Sequence, residues 1–111
     1  VHAYLTYPFV LRWSMLEAMS AGCLIIGSRT APVQELITDG VNGRLVDFFD
    51  VEGWAKLVTK ALARPERFND LRRAARDTIV QNYDLKTVCL PRMVDWVESF
   101  GPQPDRGLIG A

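Results

Sequence analysis

The sequence predicts a layered α/β unit, a parallel sheet of about three strands flanked by helices, equivalent to half of a doubly wound sheet. Three observations predict it. The run Cys23-Leu24-Ile25-Ile26-Gly27-Ser28 has no polar alternation, the pattern of a strand covered on both faces. Short apolar segments alternate with segments of helical spacing, in the order strand, helix, strand, helix, strand and then three helices. Proline and glycine punctuate the joins, at Pro8, Gly22, Pro32, Gly40, Gly43 and Pro65.

Each element has its own signal. Residues 1–6 are short, apolar and aromatic and read as a buried strand, which Pro8 ends in a loop. Trp13 to Ala21 are helix formers, with Leu16, Met19 and Trp13 on the inner face, Ser14 available as a cap and Gly22 as terminator. After the second strand, Pro32 opens a short helix that runs through about Thr38. Asp39-Gly40 and Asn42-Gly43 are turn signals, and Arg44-Leu45-Val46 is a third strand. Asp50 is placed to cap a helix in which Val51, Trp54, Ala55, Val58, Ala61 and Leu62 recur at helical spacing. Pro65 starts another, with Phe68, Leu71, Ala75 and Ile79 inward. Asp84 caps the last, which carries Leu85, Val88, Cys89, Met93, Trp96, Val97 and Phe100; Pro91 falls inside it and should kink it. Trp54 and Trp96 read as core. Gly101-Pro102 stops the helix, so the domain is expected to cover 1–101 and to leave 102–111 as a loose tail.

Composition narrows the function classes. The chain has 111 residues, enough for one small domain. Lys plus Arg number 13 and Asp plus Glu 13, so the net charge is zero and a nucleic-acid partner is not expected. Arg67, Arg72, Arg73 and Arg76 lie close together and read first as a solvated helix face, with a positive binding strip as the alternative. Cys23 and Cys89 sit in apolar surroundings and read as buried, inert thiols, and no Cys/His cluster suggests a metal. His2 reads as a satisfied core residue. No apolar run is long enough for a transmembrane segment, and no stretch of the given residues reads as a signal peptide. The chain opens without an initiator Met, in what reads as mid-strand, so a natural N-terminus is expected upstream.

Ligands of open α/β sheets bind outside the carboxyl ends of the strands. Here the first such end leads from Thr6 to Ser14 and into a helix N-terminus, whose free N–H groups and dipole favour a phosphate. Glu17 stands about one turn into that helix. A carboxylate repels a bare phosphate but accepts two hydrogen bonds from ribose hydroxyls, so loop, helix end and Glu17 together point to a nucleoside diphosphate. An ordinary surface glutamate is the alternative.

The stretch Leu16-Glu17-Ala18-Met19-Ser20-Ala21-Gly22-Cys23-Leu24-Ile25-Ile26 resembles the signature of the retaining GT-B glycosyltransferases, whose common form is Glu-Ala-Met-Ala-x-Gly-x-Pro-Val-Val. Ala31-Pro32-Val33-Gln34-Glu35-Leu36-Ile37 resembles the family's Gly-Gly-x-x-Glu-Leu-Ile segment. Asp39 to Val46 is similar to its next turn and strand, and Asp50 to the Asp opening the next helix. The resemblance runs in order and spacing over roughly residues 1–100.

It implies a partial Rossmann-like sheet, the second half of the GT-B donor domain. It matches Glu17 to the glutamate that holds the donor ribose. The family's other glutamate, separated from it by seven residues, contacts the donor sugar; this sequence has Phe9 there. The glycine-rich stretch whose amides receive the diphosphate matches Val10-Leu11-Arg12-Trp13-Ser14, without a glycine. Arg12 is either a positive charge beside the phosphates or a solvated loop residue, Tyr7 lines the donor pocket or packs, and Glu35 is expected to accept a hydrogen bond from a neighbouring loop. The implied reaction is sugar transfer from a nucleotide-diphosphate sugar to an acceptor hydroxyl, with retention and no obligatory metal or cofactor. The acceptor-binding N-terminal domain is expected to be missing, so the chain alone should be inactive and should self-associate. The implied setting is polysaccharide or glycolipid assembly in the cytoplasm, at the inner face of the membrane. The alternative is a non-catalytic nucleotide-binding or interaction module of the same fold.

Overall fold

In a computed structural model, residues 1–5 and 11–101 are described; the expectations for Thr6–Val10 and for the tail 102–111 fall outside them. The chain divides into two compact units, residues 1–81 and a second beginning at Asn82.

The first unit holds the sheet. Strands β1 (His2–Tyr4), β2 (Ile25–Ser28) and β3 (Arg44–Val46) are parallel and lie in that order. Ala3 pairs with Ile26, and Ile26 in turn with Arg44. Every residue of β2 is buried, as its unbroken apolar run requires of a central strand covered on both faces. Successive side chains point to opposite faces, so Ile25 and Leu45 enter one core while Ile26 and Val46 enter another. The first core is closed by helix α1 (Trp13–Ser20), by α2 (Ala31–Gln34) with the turn after it, and by helix α4 (Asn69–Tyr83) through Ala75 and Ile79. Helix α3 (Val51–Ala63) and a 3-10 turn at Pro65–Phe68 close the second, through Ala61 and Phe68.

The turns follow their chemistry. Gly22 takes φ +78°, the left-handed conformation that ends α1. Gly43 lets β3 pass close to β2: a Cβ there would stand 3.1 Å from the Ile25 carbonyl oxygen and 3.0 Å from Ile37. Asp50 caps α3, its carboxylate accepting from Gly53 N–H at 2.9 Å. Asp84 caps the next segment, accepting from the Thr87 N–H at 2.9 Å and the Thr87 hydroxyl at 2.7 Å. Those bonds, with one from the Lys86 backbone, hold its carboxyl below the ordinary 3.8.

Several expectations need correction. The inner face of α1 carries Met15 and Met19, both 0% exposed, whereas Trp13 is 79% exposed: the helix begins at Trp13, and its third and seventh residues face the sheet. Ser14 does not cap it; Arg12 occupies the cap position without a side-chain bond. The helix opened by Pro32 stops at Gln34, because the chain must turn to bring Leu36 and Ile37 into the core. Pro65 opens a 3-10 turn before α4. Trp54 is only partly buried against the second core, its indole N–H donating to the Asp47 carbonyl at 3.1 Å. Val51, Ala55 and Leu62 on α3 are exposed. Cys23, Cys89 and His2 are half-buried rather than buried.

In the second unit a π-helical segment (Leu85–Cys89) precedes helix α5 (Leu90–Glu98). The backbone stays helical through Cys89 and Leu90, so Pro91 follows directly on the π-helical segment, in the first turn of α5. Trp96 is not core: it is exposed, stacked edge-on to Phe100 with ring centroids 5.0 Å apart. Among the described residues no helix is long and apolar enough to cross a membrane.

Candidate functional site

The carboxyl ends of the three strands are Tyr4, Ser28 and Val46. Tyr4 is 5% exposed, and its hydroxyl accepts from the Arg12 backbone N–H at 2.8 Å. This bond ties the end of β1 to the residue that opens α1. Arg12 is extended, with φ −99° and ψ 152°, and no side chain caps the helix it starts. The first turn of α1 carries no acidic residue. An uncapped helix end with only a neighbouring arginine is electrostatically positive, suited to an anion.

Of the expected donor-loop residues, Phe9 and Val10 lie outside the described residues. Leu11 is partly buried and packs against the first core. Arg12, Trp13 and Ser14 are exposed where the loop enters α1. Glu17 is exposed on the same helix one turn later, and among the described residues no hydrogen bond or ion pair holds its carboxylate. It is thus open to a ligand, and its backbone C=O closes the helix by accepting from Ala21 N–H at 2.9 Å. Glu35 is also exposed, and among the described residues no loop group donates to it; its C-cap position on the short α2 turns it outward.

Two polar groups near the strand ends are unsatisfied. Ser28, at the end of β2, is 0% exposed, and among the described residues neither its hydroxyl nor that of Thr30 has a hydrogen-bond partner. Beside them is a charged cluster the sequence did not announce. Asp39 accepts from Leu45 N–H at 3.0 Å and from Arg44 Nε at 2.9 Å, and stands 3.6 Å from Arg29. Burial alone would raise its carboxyl, but the bonds from Leu45 and Arg44 and the two guanidinium charges outweigh that and hold it below 3.8. Arg29 also donates to the Leu45 carbonyl at 3.4 Å. The backbone N–H and C=O of Leu45, in the middle of edge strand β3, are therefore both covered by side chains. A groove of about 390 Å³ follows on the β3–α3 side, lined by Arg29, Arg44, Lys56 and Lys60 with Asp47 and Asp50. Among the described residues it shares none with the loop leading into α1. Among the described residues, no group of three His, Cys, Asp or Glu side chains is placed to hold a metal.

The family model for "Glycosyl transferases group 1" matches residues 13–78, from the first residue of α1 to the middle of α4. The chain belongs to this family. Its matched region includes Glu17, the central strand and the Asp39 turn. Solved structures share the fold. Anabaena Alr3699/HepE in complex with UDP superposes with a TM-score of 0.77 at 20% identity, over 87% of this chain and 27% of that one. The same protein with UDP-glucose gives 0.78 at 19%, over 87% and 27%. Sucrose-phosphate synthase from Thermosynechococcus elongatus gives 0.70 at 21%, over 81% and 23%. This chain thus spans about a quarter of the length of these proteins. No curated protein matches it significantly.

Proposed function

We propose that the chain is the second half of the donor-binding domain of a retaining glycosyltransferase, and that Glu17 holds the ribose of a nucleotide-diphosphate sugar. The observation that carries the proposal is the open Glu17 carboxylate on an uncapped helix, at the carboxyl end of β1 and inside the region matched to the family. The amides of residues 10–14 are the donors for the diphosphate, and charge developing on that leaving group is stabilised by them and by the helix dipole, without an obligatory metal. The other half of the domain and an acceptor-binding domain complete the enzyme, so this chain alone turns nothing over. Neighbours crystallised with UDP and UDP-glucose support the donor class. A role in polysaccharide assembly at the cytoplasmic face of the membrane fits the reading.

A non-catalytic module is the second reading, favoured by Phe9 standing where the family has its sugar-contacting glutamate. In the longer protein, Glu17→Ala is expected to raise the donor KM by about tenfold or more, the worth of a charge-assisted hydrogen bond. Unchanged kinetics with the E17A variant would remove the ribose assignment. Transfer by the parent excludes the module. Titration of the isolated chain with UDP or GDP should show weak binding at most; tight binding would overturn the half-domain reading.

A further inference from the structure

We propose a second anion site, a phosphate-binding pocket formed by Arg72, Arg73 and Arg76 of α4 against the C-terminal end of α1. The pocket measures about 320 Å³ and is completed by Asn69 and Gly22, with no acidic side chain among the described residues of its lining. It sits where the chain leaves α1 for β2, at the other end of α1 from Trp13.

Two of the arginines are anchored. Arg72 Nε donates to the Gly22 carbonyl at 3.0 Å, and Arg76 Nη1 donates to the Ser20 carbonyl. Each bond occupies one of five N–H donors and leaves four for a ligand. Anchoring also lowers the side-chain entropy that binding would otherwise cost. Among the described residues Arg73 makes no such bond. Among the described residues none of the three makes an ion pair, although Asp70 and Asp77 lie on the same helix. The chain as a whole is neutral, so this concentration of charge does not follow from composition. Arg72 with Arg76 and Arg73 with Arg76 are like charges one turn apart, a spacing that destabilises a bare helix. A phosphate removes that repulsion, and its oxygens suit the planar guanidinium forks. A free phosphate compound and a phospholipid headgroup present the same chemistry.

The test is calorimetric titration of the chain with inorganic pyrophosphate at low salt, paralleled by co-sedimentation with phosphatidic acid vesicles against phosphatidylcholine vesicles. Saturable binding to either probe is expected. Arg73→Ala should weaken it by about tenfold or more, and Arg73→Lys by less. Arg67→Ala makes the same charge change outside the pocket and should leave affinity within about twofold. Because Arg73 anchors nothing, loss of binding in R73A with an unchanged circular dichroism melt separates ligand contact from folding. Pyrophosphate binding marks a soluble ligand, and binding to vesicles alone marks a lipid. No binding of either probe overturns the proposal, as does an R67A loss equal to that of R73A or an R73A affinity equal to the parent's.

Discussion

Replacing Asn42 by alanine removes three hydrogen bonds from one buried point. The Asn42 amide donates to the Leu36 carbonyl at 2.8 Å and to Thr78 Oγ1 at 3.1 Å, and its oxygen accepts from Thr38 N–H at 2.8 Å. The side chain is 6% exposed and joins the turn before β3 to the chain after α2 and to α4. Alanine leaves the Leu36 carbonyl, on a residue 7% exposed, without its partner. A buried orphan costs roughly 1–3 kcal/mol. The Thr38 N–H belongs to an exposed residue and regains water, so it adds about 1 kcal/mol or less. The expected loss is about 1–4 kcal/mol. At roughly 4–8 °C per kcal/mol for a unit of this size, the melting temperature should fall by about 4–32 °C. Paired urea melts of the parent and N42A, followed by circular dichroism, measure the loss directly. A loss below about 0.5 kcal/mol, within the range of ordinary surface substitutions, would show that water replaces the amide and would refute the bracket. N42D is the sharper control. At neutral pH it keeps the acceptor for Thr38 but sets a carboxylate against the Leu36 carbonyl, so it should be no more stable than N42A. Protonation in acid restores a donor and should recover part of the loss.

Asp39 sets the acid limit of the β3 edge. Its folded value lies below the unfolded 3.8, so its contribution is present above 3.8 and is lost as pH falls through the folded value. The side chain is 35% exposed and solvent screens the pairs, so D39N should cost only about 0.5–1 kcal/mol at pH 7 and should flatten the acid limb of a stability–pH curve. An acid limb identical to the parent's would remove this role. The isolated chain should self-associate: among the described residues β1 pairs with β2 alone, and Met93, Trp96, Val97 and Phe100 are exposed apolar side chains along and just beyond α5. Light scattering across a concentration series should show growing mass, reduced in a W96E/F100E double variant; a monomer at high concentration refutes it.

The layered α/β order, the buried β2, the caps at Asp50 and Asp84 and the turn at Gly22 were legible in the sequence, because each follows from bonds and burial within a few residues. Glu17 was legible for the same reason, since its place one turn into a helix behind a strand depends on local spacing alone. Tertiary structure decided what depends on partners far along the chain. The inner face of α1 falls on Met15 and Met19 rather than Trp13 because the sheet, not the helix, sets which stripe is covered. Asn42 reaches a side chain 36 residues away, and Arg72 and Arg76 reach α1's end across 50 and 56 residues. The Arg29–Asp39–Arg44 cluster likewise exists only once β3 lies beside β2. No local pattern distinguishes these polar side chains from solvated ones; only the packing that withdraws water from them and supplies a fixed partner does so.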